Sequence, residues 1–261
     1  MATDANLTPE QHQTLSEMVY LESGVVLSEK KRTLLMARLA KRMRATQTES
    51  VCDYIDLICR DPGERINFID ATTTNHTYFF RENTHCEYLL RNWDSTRPLK
   101  IWSAASSSGE EAFSLAIQLL DHSFSFDIYA SDVSDSMLNL GRQAIYHKDR
   151  LTHVPLRLVR TYFQKGKNQW KDHVRVKKEV RQYVRFEKFN LLSDIATTRF
   201  DVIFCRNVMI YFDMQTRQKV VEPLCRSLNP GGFVFVGLAE SLNGLKHNLS
   251  LIVPSGYAKN R

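Results

Sequence analysis

Apolar and polar positions follow two different periods along this chain, and the change falls near residue 74. From Leu7 to about Thr74 apolar residues recur at helical spacing, as in Leu34, Leu35, Met36, Leu39 and Met43. Asp61-Pro62-Gly63-Glu64 marks one helix start, with a capping acid, proline in the first turn and glutamate three residues after the cap. Ser28 is the expected N-cap of a basic helix that follows it. Residues 74–97 read as a link. Beyond them short apolar runs alternate with helical ones. Leu99–Ala105 reads as a strand, Ala112–Leu120 as a helix with Phe113, Leu115, Ala116, Leu119 and Leu120 on one face, Phe126–Ser131 as a strand, and Val133–Arg142 as a helix. Phe200–Cys205, with β-branched Val202 and Ile203 at its centre, reads as a buried parallel strand. A helical face at Val220, Val221, Leu224, Cys225 and Leu228 follows, then a turn at Asn229-Pro230-Gly231-Gly232 and strands at Phe233–Gly237 and Leu249–Val253. His173–Val176 and Tyr183–Phe186 alternate apolar with basic residues and predict a small antiparallel hairpin inserted at about 164–188.

Strand–helix alternation predicts a parallel α/β sheet. The expected organisation is an all-α N-terminal domain, 1–73, followed by a Rossmann-like α/β domain, 74–261, that carries the β insert. In such sheets ligands bind outside the carboxyl ends of the strands, and three strand ends here carry chemistry. The first runs into Ser106-Ser107-Ser108-Gly109-Glu110-Glu111. The second closes on Asp132, 23 positions beyond Gly109, near the roughly 20-residue offset at which an acid meets a ribose hydroxyl. The third ends in Arg206 and Asn207, with Tyr211 close behind. One glycine is too few to press backbone against a pyrophosphate, which argues against a dinucleotide. S-adenosylmethionine has no phosphate and relaxes that demand. An ordinary polar turn, with Asp132 capping the next helix, is the competing reading.

Five ordered segments resemble the CheR chemotaxis-receptor methyltransferases: Thr74 to Glu82, Ile101 to Glu111, Ala130-Ser131-Asp132, Phe189 to Leu192, and Phe204 to Phe212. The resemblance extends from the N-terminal helices to nearly the last residue. It implies a class I S-adenosylmethionine-dependent methyltransferase sheet and methyl transfer to glutamate side chains of transmembrane chemoreceptors, giving γ-methyl esters. It implies that Asp132 binds the ribose, that Glu111 meets the methionine amino group, and that Asn75 and Thr77 touch the cofactor. It implies that Asn190 and Leu191 lie at the adenine, that Arg206 and Asn207 line the cleft, and that Arg81 and Tyr211 stand near the transferring methyl. Each has a structural alternative: Glu111 as a first-turn acid, Arg81 and Arg206 as ion pairs, Tyr211 as a packed aromatic, Asn75 and Thr77 as turn residues. The family turn often reads Cys-Ser-Thr-Gly-Glu-Glu-Pro. This chain keeps the glycine and both acids. In some members the β insert grips a receptor's C-terminal pentapeptide through a glycine-rich loop. Here that loop has only Gly166, so such tethering is not expected.

The remaining composition adjusts this picture little. With 43% hydrophobic and 25% charged residues the chain is of ordinary globular type. It has no apolar run of about 18 residues, so no membrane span is expected. Met1 to Asn6 lacks a secretory leader pattern, and the five cysteines show no C-x-x-C. A reduced, cytoplasmic, monomeric protein without metal is the expectation. The net charge of +6 draws attention to Lys30, Lys31, Arg32, Arg38, Lys41, Arg42 and Arg44. This helix is either a solvated face or an electrostatic dock. The resemblance favours docking on the acidic cytoplasmic helices of a receptor. A nucleic-acid methyltransferase is disfavoured because the strand end reads Cys205-Arg206-Asn207-Val208, without the Asn/Asp-Pro-Pro-Tyr or Pro-Cys motif usual there. A catalytically silent cofactor-binding signalling module is the other alternative.

Overall fold

The computed structural model describes residues 7–73 and 76–260. It consists of two compact units, residues 1–74 with 211–213, and residues 75–210 with 214–261.

The first unit is helical: α1 (Pro9–Ser23), α2 (Arg32–Thr46), α3 (Val51–Arg60) and α4 (Pro62–Thr72). Thr8 and Gln11 form a reciprocal capping box on α1. Asp61 caps α4 as expected, accepting from the backbone N–H of Gly63 (2.8 Å) and Glu64 (3.2 Å). Ser28 does not cap α2. It precedes a 3-10 turn, Glu29–Lys31, makes no side-chain cap bond, and α2 starts only at Arg32. Leu15, Val19, Leu35, Leu39, Tyr54, Ile58 and Phe68 are fully buried and form the core. Glu64 is buried among them. Its Oε1 accepts from Arg42 Nε (2.9 Å) and Tyr54 Oη (2.6 Å). Four of the seven basic residues around α2 are engaged within the unit. Arg42 pairs with Glu64, Arg38 donates to the carbonyls of Thr72 and Thr73, Arg32 binds Glu29, and Lys31 donates to the Val26 carbonyl. Lys30, Lys41 and Arg44 are left as an exposed stripe.

The second unit is built on a seven-stranded sheet. In chain order its elements are α5 (Thr84–Asn92), β1 (Leu99–Ala104), α6 (Glu110–Asp121), β2 (Phe126–Asp132), α7 (Asp135–Gln143), β3 (Ile145–His147), α8 (Leu156–Tyr162), β4 (Phe163–Lys165), β5 (His173–Val176), α9 (Lys178–Arg181), β6 (Val184–Lys188), β7 (Phe200–Cys205), α10 (Met214–Ser227), β8 (Leu228–Val236), β9 (Leu249–Val253) and β10 (Gly256–Lys259). The sheet order is β6-β2-β1-β7-β8-β10-β9, with β6 to β8 parallel and the last two strands antiparallel. Order reverses between β1 and β7, the switch point at which such sheets bind ligands.

Two expectations need correction. Tyr183–Phe186 is not half of a hairpin. Val184–Lys188 is β6, the parallel edge strand beside β2, and its exposed basic face gave it the alternation of a hairpin strand. The antiparallel insert is the sheet β3-β5-β4, within 145–176. Asn229-Pro230-Gly231-Gly232 is a bulge inside β8, where the pairing jumps from Phe200–Leu228 to Val202–Phe233 and Gly231 supplies φ 74°. β10, unanticipated, closes the sheet. Inward residues of α5, α6 and the insert, among them Phe79, Leu89, Phe113, Tyr146 and Val176, form one core against Ile101, Ile128, Val202 and Phe204.

Replacing Glu64 with glutamine leaves the Arg42 guanidinium without its anion in a largely buried setting, a defect of about 3 kcal/mol. Although burial opposes ionisation, bonds from Arg42, Tyr54 and Asn67 hold the Glu64 carboxyl below the usual range. Its contribution is therefore present above the unfolded carboxylate pKa and lost as pH falls through the folded value. Urea unfolding followed by circular dichroism will show Glu64→Gln markedly less stable than the parent at pH 7, with the gap closing toward pH 3.

Candidate active site

At the carboxyl end of β1 the chain turns sharply through left-handed residues: φ is 59° at Ala105, 50° at Ser107 and 90° at Gly109. Gly109 is required twice, by that φ and because a Cβ there would stand 2.6 Å from the Phe186 ring. Asp132 pins the turn. Its Oδ2 accepts from Ser107 N (2.7 Å) and its Oδ1 from Ser134 N (3.0 Å). The next helix is capped by Ser134, whose Oγ accepts from Met137 N. Asp132 is 8% exposed, and each carboxylate oxygen can accept a further bond. The hydroxyls of Ser106 and Ser107 are buried and find no hydrogen-bond partner. Buried orphan hydroxyls are costly, and beside a carboxylate they suit a ligand that brings its own donors and acceptors. S-adenosylmethionine, with a ribose diol and a zwitterionic tail, fits that donor set.

Glu110 and Glu111 open α6. Glu110 points inward, is fully buried, accepts from Ser108 Oγ (2.6 Å) and meets Arg150 Nη1 at 3.2 Å. Arg150 also donates to the Thr77 carbonyl, which ties that segment to α6. Glu111 accepts from Ser103 Oγ (2.7 Å) and its Oε2 lies 3.4 Å from Arg206 Nε. Burial pushes the Glu111 carboxyl up, and Arg206 only partly offsets this.

Arg206, 7% exposed, follows β7. Its Nη2 donates to the Arg81 carbonyl (2.6 Å) and lies 3.4 Å from Glu82 Oε2. Glu82 also accepts from Asn207 Nδ2 and Leu238 N, both at 3.0 Å. Burial disfavours its charge, but these bonds and the flanking arginines outweigh burial and hold its carboxyl below the usual range. Asn207 is itself left-handed, φ 58°. Glu240 fixes it. That buried acid accepts from Asn207 N (2.8 Å), Gly237 N (2.6 Å) and Ile210 N (3.1 Å).

Of the residues expected from the sequence, Arg81, Glu111, Arg206 and Asn207 are thus brought into one network, and Asp132 holds the adjoining turn. The Arg81 guanidinium donates to the His76 carbonyl (2.7 Å) and is 26% exposed. Asn190 and Leu191 follow β6, half-buried. The Asn190 Oδ1 accepts from Leu192 N (3.0 Å), a turn of its own. Asn75 lies outside the described residues. Tyr211 belongs to the helical unit, where its carbonyl accepts from Val26 N (3.0 Å) and Lys31 Nζ stands 5.2 Å from its ring. Glu82 and Glu240 were not anticipated. Glu82 was readable only as the neighbour of Arg81, and Glu240 stands alone among apolar residues with no motif around it. Cys205 is fully buried and burial drives its thiol far up, so it is no nucleophile. Among the described residues no cluster of His, Cys, Asp and Glu can hold a metal.

A parallel sheet with a carboxylate-pinned, glycine-poor turn at its switch point defines a Rossmann-like S-adenosylmethionine-dependent methyltransferase. Comparison with known proteins makes this specific. Residues 75–256 match the family described as CheR methyltransferase, SAM binding domain, and residues 10–73 match the CheR methyltransferase all-alpha domain. The chain belongs to the CheR methyltransferase family. It is 39% identical to chemotaxis protein methyltransferase 2 of Pseudomonas aeruginosa, over 96% of this chain and 93% of the relative. It is 34% identical to the chemotaxis protein methyltransferases of Borreliella burgdorferi (98% and 96% covered) and Escherichia coli (97% and 91%).

Because burial raises the Glu111 carboxyl, ionising it costs folding free energy. In its absence stability is favoured below the unfolded carboxylate pKa and declines as pH rises through the folded value. Glu111→Gln removes that cost. Calorimetry without cofactor will give the variant a higher melting temperature than the parent at pH 7.5 and no advantage at pH 4, while its affinity for S-adenosylhomocysteine falls about tenfold or more.

Proposed function

We propose that this methyltransferase esterifies glutamate side chains in the cytoplasmic helices of transmembrane chemoreceptors, acting as a monomer in the cytoplasm. The observation that carries the reading is the pair of arginines, Arg81 and Arg206, beside the Asp132-pinned turn in a chain whose relatives act in chemotaxis. A glutamate carboxylate, with a pKa of about 4.3, is already ionised at neutral pH, so the nucleophile needs no general base. It needs a cation to hold it in line and a site that excludes water.

S-adenosylmethionine, when bound, supplies an electrophilic methyl on a sulfonium. Around it, Asp132 accepts from the ribose hydroxyls and Glu111 faces the methionine ammonium. Asn75 and Thr77 flank the cofactor, and Asn190 with Leu191 borders the adenine. Arg206 and Asn207 form the wall of the cleft. Arg81, whose guanidinium is held by one carbonyl and keeps other donors open, grips the incoming carboxylate with paired hydrogen bonds. Tyr211 is proposed to donate to an oxygen near the methyl, and Tyr211→Phe tests that role by a fall in kcat at unchanged cofactor affinity. The exposed stripe of Lys30, Lys41 and Arg44 docks the acidic receptor helices. The insert loop, with Gly166 as its single glycine, does not present the glycine-rich loop used to tether a receptor pentapeptide.

Two measurements check the reading. Incubation with methyl-tritiated S-adenosylmethionine and receptor-bearing membranes will yield protein-bound label that mild alkali releases as volatile methanol. Arg81→Ala will lower that yield by about a hundredfold or more at near-normal cofactor affinity; alkali-stable label would reject ester formation. In the second, Lys41→Glu with Arg44→Glu will raise the KM for receptor several-fold at low salt and leave kcat and cofactor affinity unchanged. The difference will shrink at high salt as the charges are screened.

A further inference from the structure

The chain's positive charge does not reside where its most basic helix does. Residues 1–73 hold nine lysines and arginines against eleven aspartates and glutamates, whereas residues 142–188 hold fourteen against four. Part of that excess is neutralised internally: Lys148 by Asp172, Arg150 by Glu110, Arg157 by Asp121 and Lys188 by Asp135. Lys165, Lys167, Lys171, Arg175 and Lys178 are exposed and make no ion pair among the described residues. They occupy the outer face of the β3-β5-β4 sheet, the loop at its tip and the turn after β5. Burial, and next the neighbouring Arg175, hold the Arg181 guanidinium below its ordinary range, as crowding of like charges would.

The tip of this sheet is built rather than loose. Gly166 N donates to the His173 carbonyl (2.9 Å), and a Cβ at Gly166 would collide with the Trp170 carbonyl. The closed loop presents Trp170, 46% exposed, with its ring edge-on to His173 at 5.2 Å. The other two tryptophans, Trp93 and Trp102, are buried. An exposed indole ringed by lysines has an apolar body and a polar edge among flexible cationic stems, the composition that suits a bilayer interface.

We propose that the basic outer face of the insert, with Trp170 at its tip, docks on anionic lipid headgroups of a membrane leaflet. Two other polyanions fit less well. A single-stranded nucleic acid is held by successive stacked aromatics, and this tip offers one. An acidic peptide added as a strand needs a sheet edge, and the edge strands β3 and β4 are three residues each. A planar anionic surface asks only for clustered cations, each favourable near the leaflet. Adsorption would raise the concentration of the enzyme beside membrane-held substrates. Only that benefit rests on the proposed receptor reading; the binding itself does not.

The test uses the full chain and receptor-free vesicles, so its failure is separate from failure of the substrate assignment. In 50 mM salt the protein will co-sediment with vesicles of phosphatidylcholine containing about one-third phosphatidylglycerol, and not with phosphatidylcholine alone. Tryptophan emission will shift to the blue on binding, and the shift will vanish in Trp170→Ala. Lys165→Ala with Lys167→Ala and Lys171→Ala will weaken sedimentation about tenfold or more while S-adenosylhomocysteine affinity stays unchanged. Lys41→Glu with Arg44→Glu will bind vesicles as the parent does. Absence of sedimentation with anionic vesicles overturns the proposal, as does equal binding to neutral ones. Binding to an oligonucleotide or polyglutamate at salt where anionic vesicles fail would assign the face to that partner instead.

Discussion

A guanidinium that is 7% exposed cannot be left unpaired, and the candidate site is organised around meeting that demand for Arg206. Glu82 and Glu111 each stand 3.4 Å from it, and the Arg81 carbonyl accepts from it at 2.6 Å. Three stretches of chain distant in sequence, 81–82, 103–111 and 206–210, are thereby fixed to one another at the switch point. The two acids are not equivalent. Glu82 receives donors from Asn207 and Leu238 and is held ionised, whereas Glu111 has only Ser103 as a firm donor and is pushed up by burial. An acid short of donors in a cleft is completed by a cationic ligand, and an ammonium supplies what Glu111 lacks. The same asymmetry that destabilises the empty site prepares it to bind.

Backbone strain around the site is held by carboxylates. Ser107 and Asn207 both adopt left-handed φ without being glycine, and in each the amide N–H is held by a buried acid, Asp132 for one and Glu240 for the other. Each acid therefore acts on the shape of its turn before it acts on any ligand. Asp132 does both tasks at once, since its two backbone bonds leave lone pairs for further donors. The sequence alternatives for this residue, helix cap or ribose acceptor, are not exclusive: it orders the turn while Ser134 caps the helix.

The parallel strands could be read from sequence because each is buried on both faces and so shows an uninterrupted apolar run, as in Phe200–Cys205. The same rule explains the misreading of β6. At the edge of the sheet one of its faces meets solvent, so Arg185 and Glu187 alternate with Val184 and Phe186, and period two cannot distinguish a parallel edge strand from a hairpin. Arg81, Asp132 and Arg206 were found because they sit at strand ends or within contiguous motifs. Glu240 was not, because its role is set by three backbone amides contributed by two separate loops, and no local pattern records such a meeting. Burial likewise decides between the seven cations near α2. A helical wheel cannot tell that Arg38 and Arg42 turn inward to carbonyls and to Glu64.

Carboxylate methylation explains why the site contains so little conventional catalytic equipment. A thiol nucleophile is absent in effect, since Cys205 is sealed in the sheet. No base is needed by a nucleophile that is ionised at neutral pH. What the reaction does need is that a mobile anion be held still against a sulfonium, and that water be kept from competing. Cations whose own positions are fixed perform the first task, and here Arg206 is fixed on three sides while Arg81 is anchored by one bond and half open. The division follows from burial. The arginine with no freedom is suited to shape the pocket, and the one with spare donors is suited to receive the substrate.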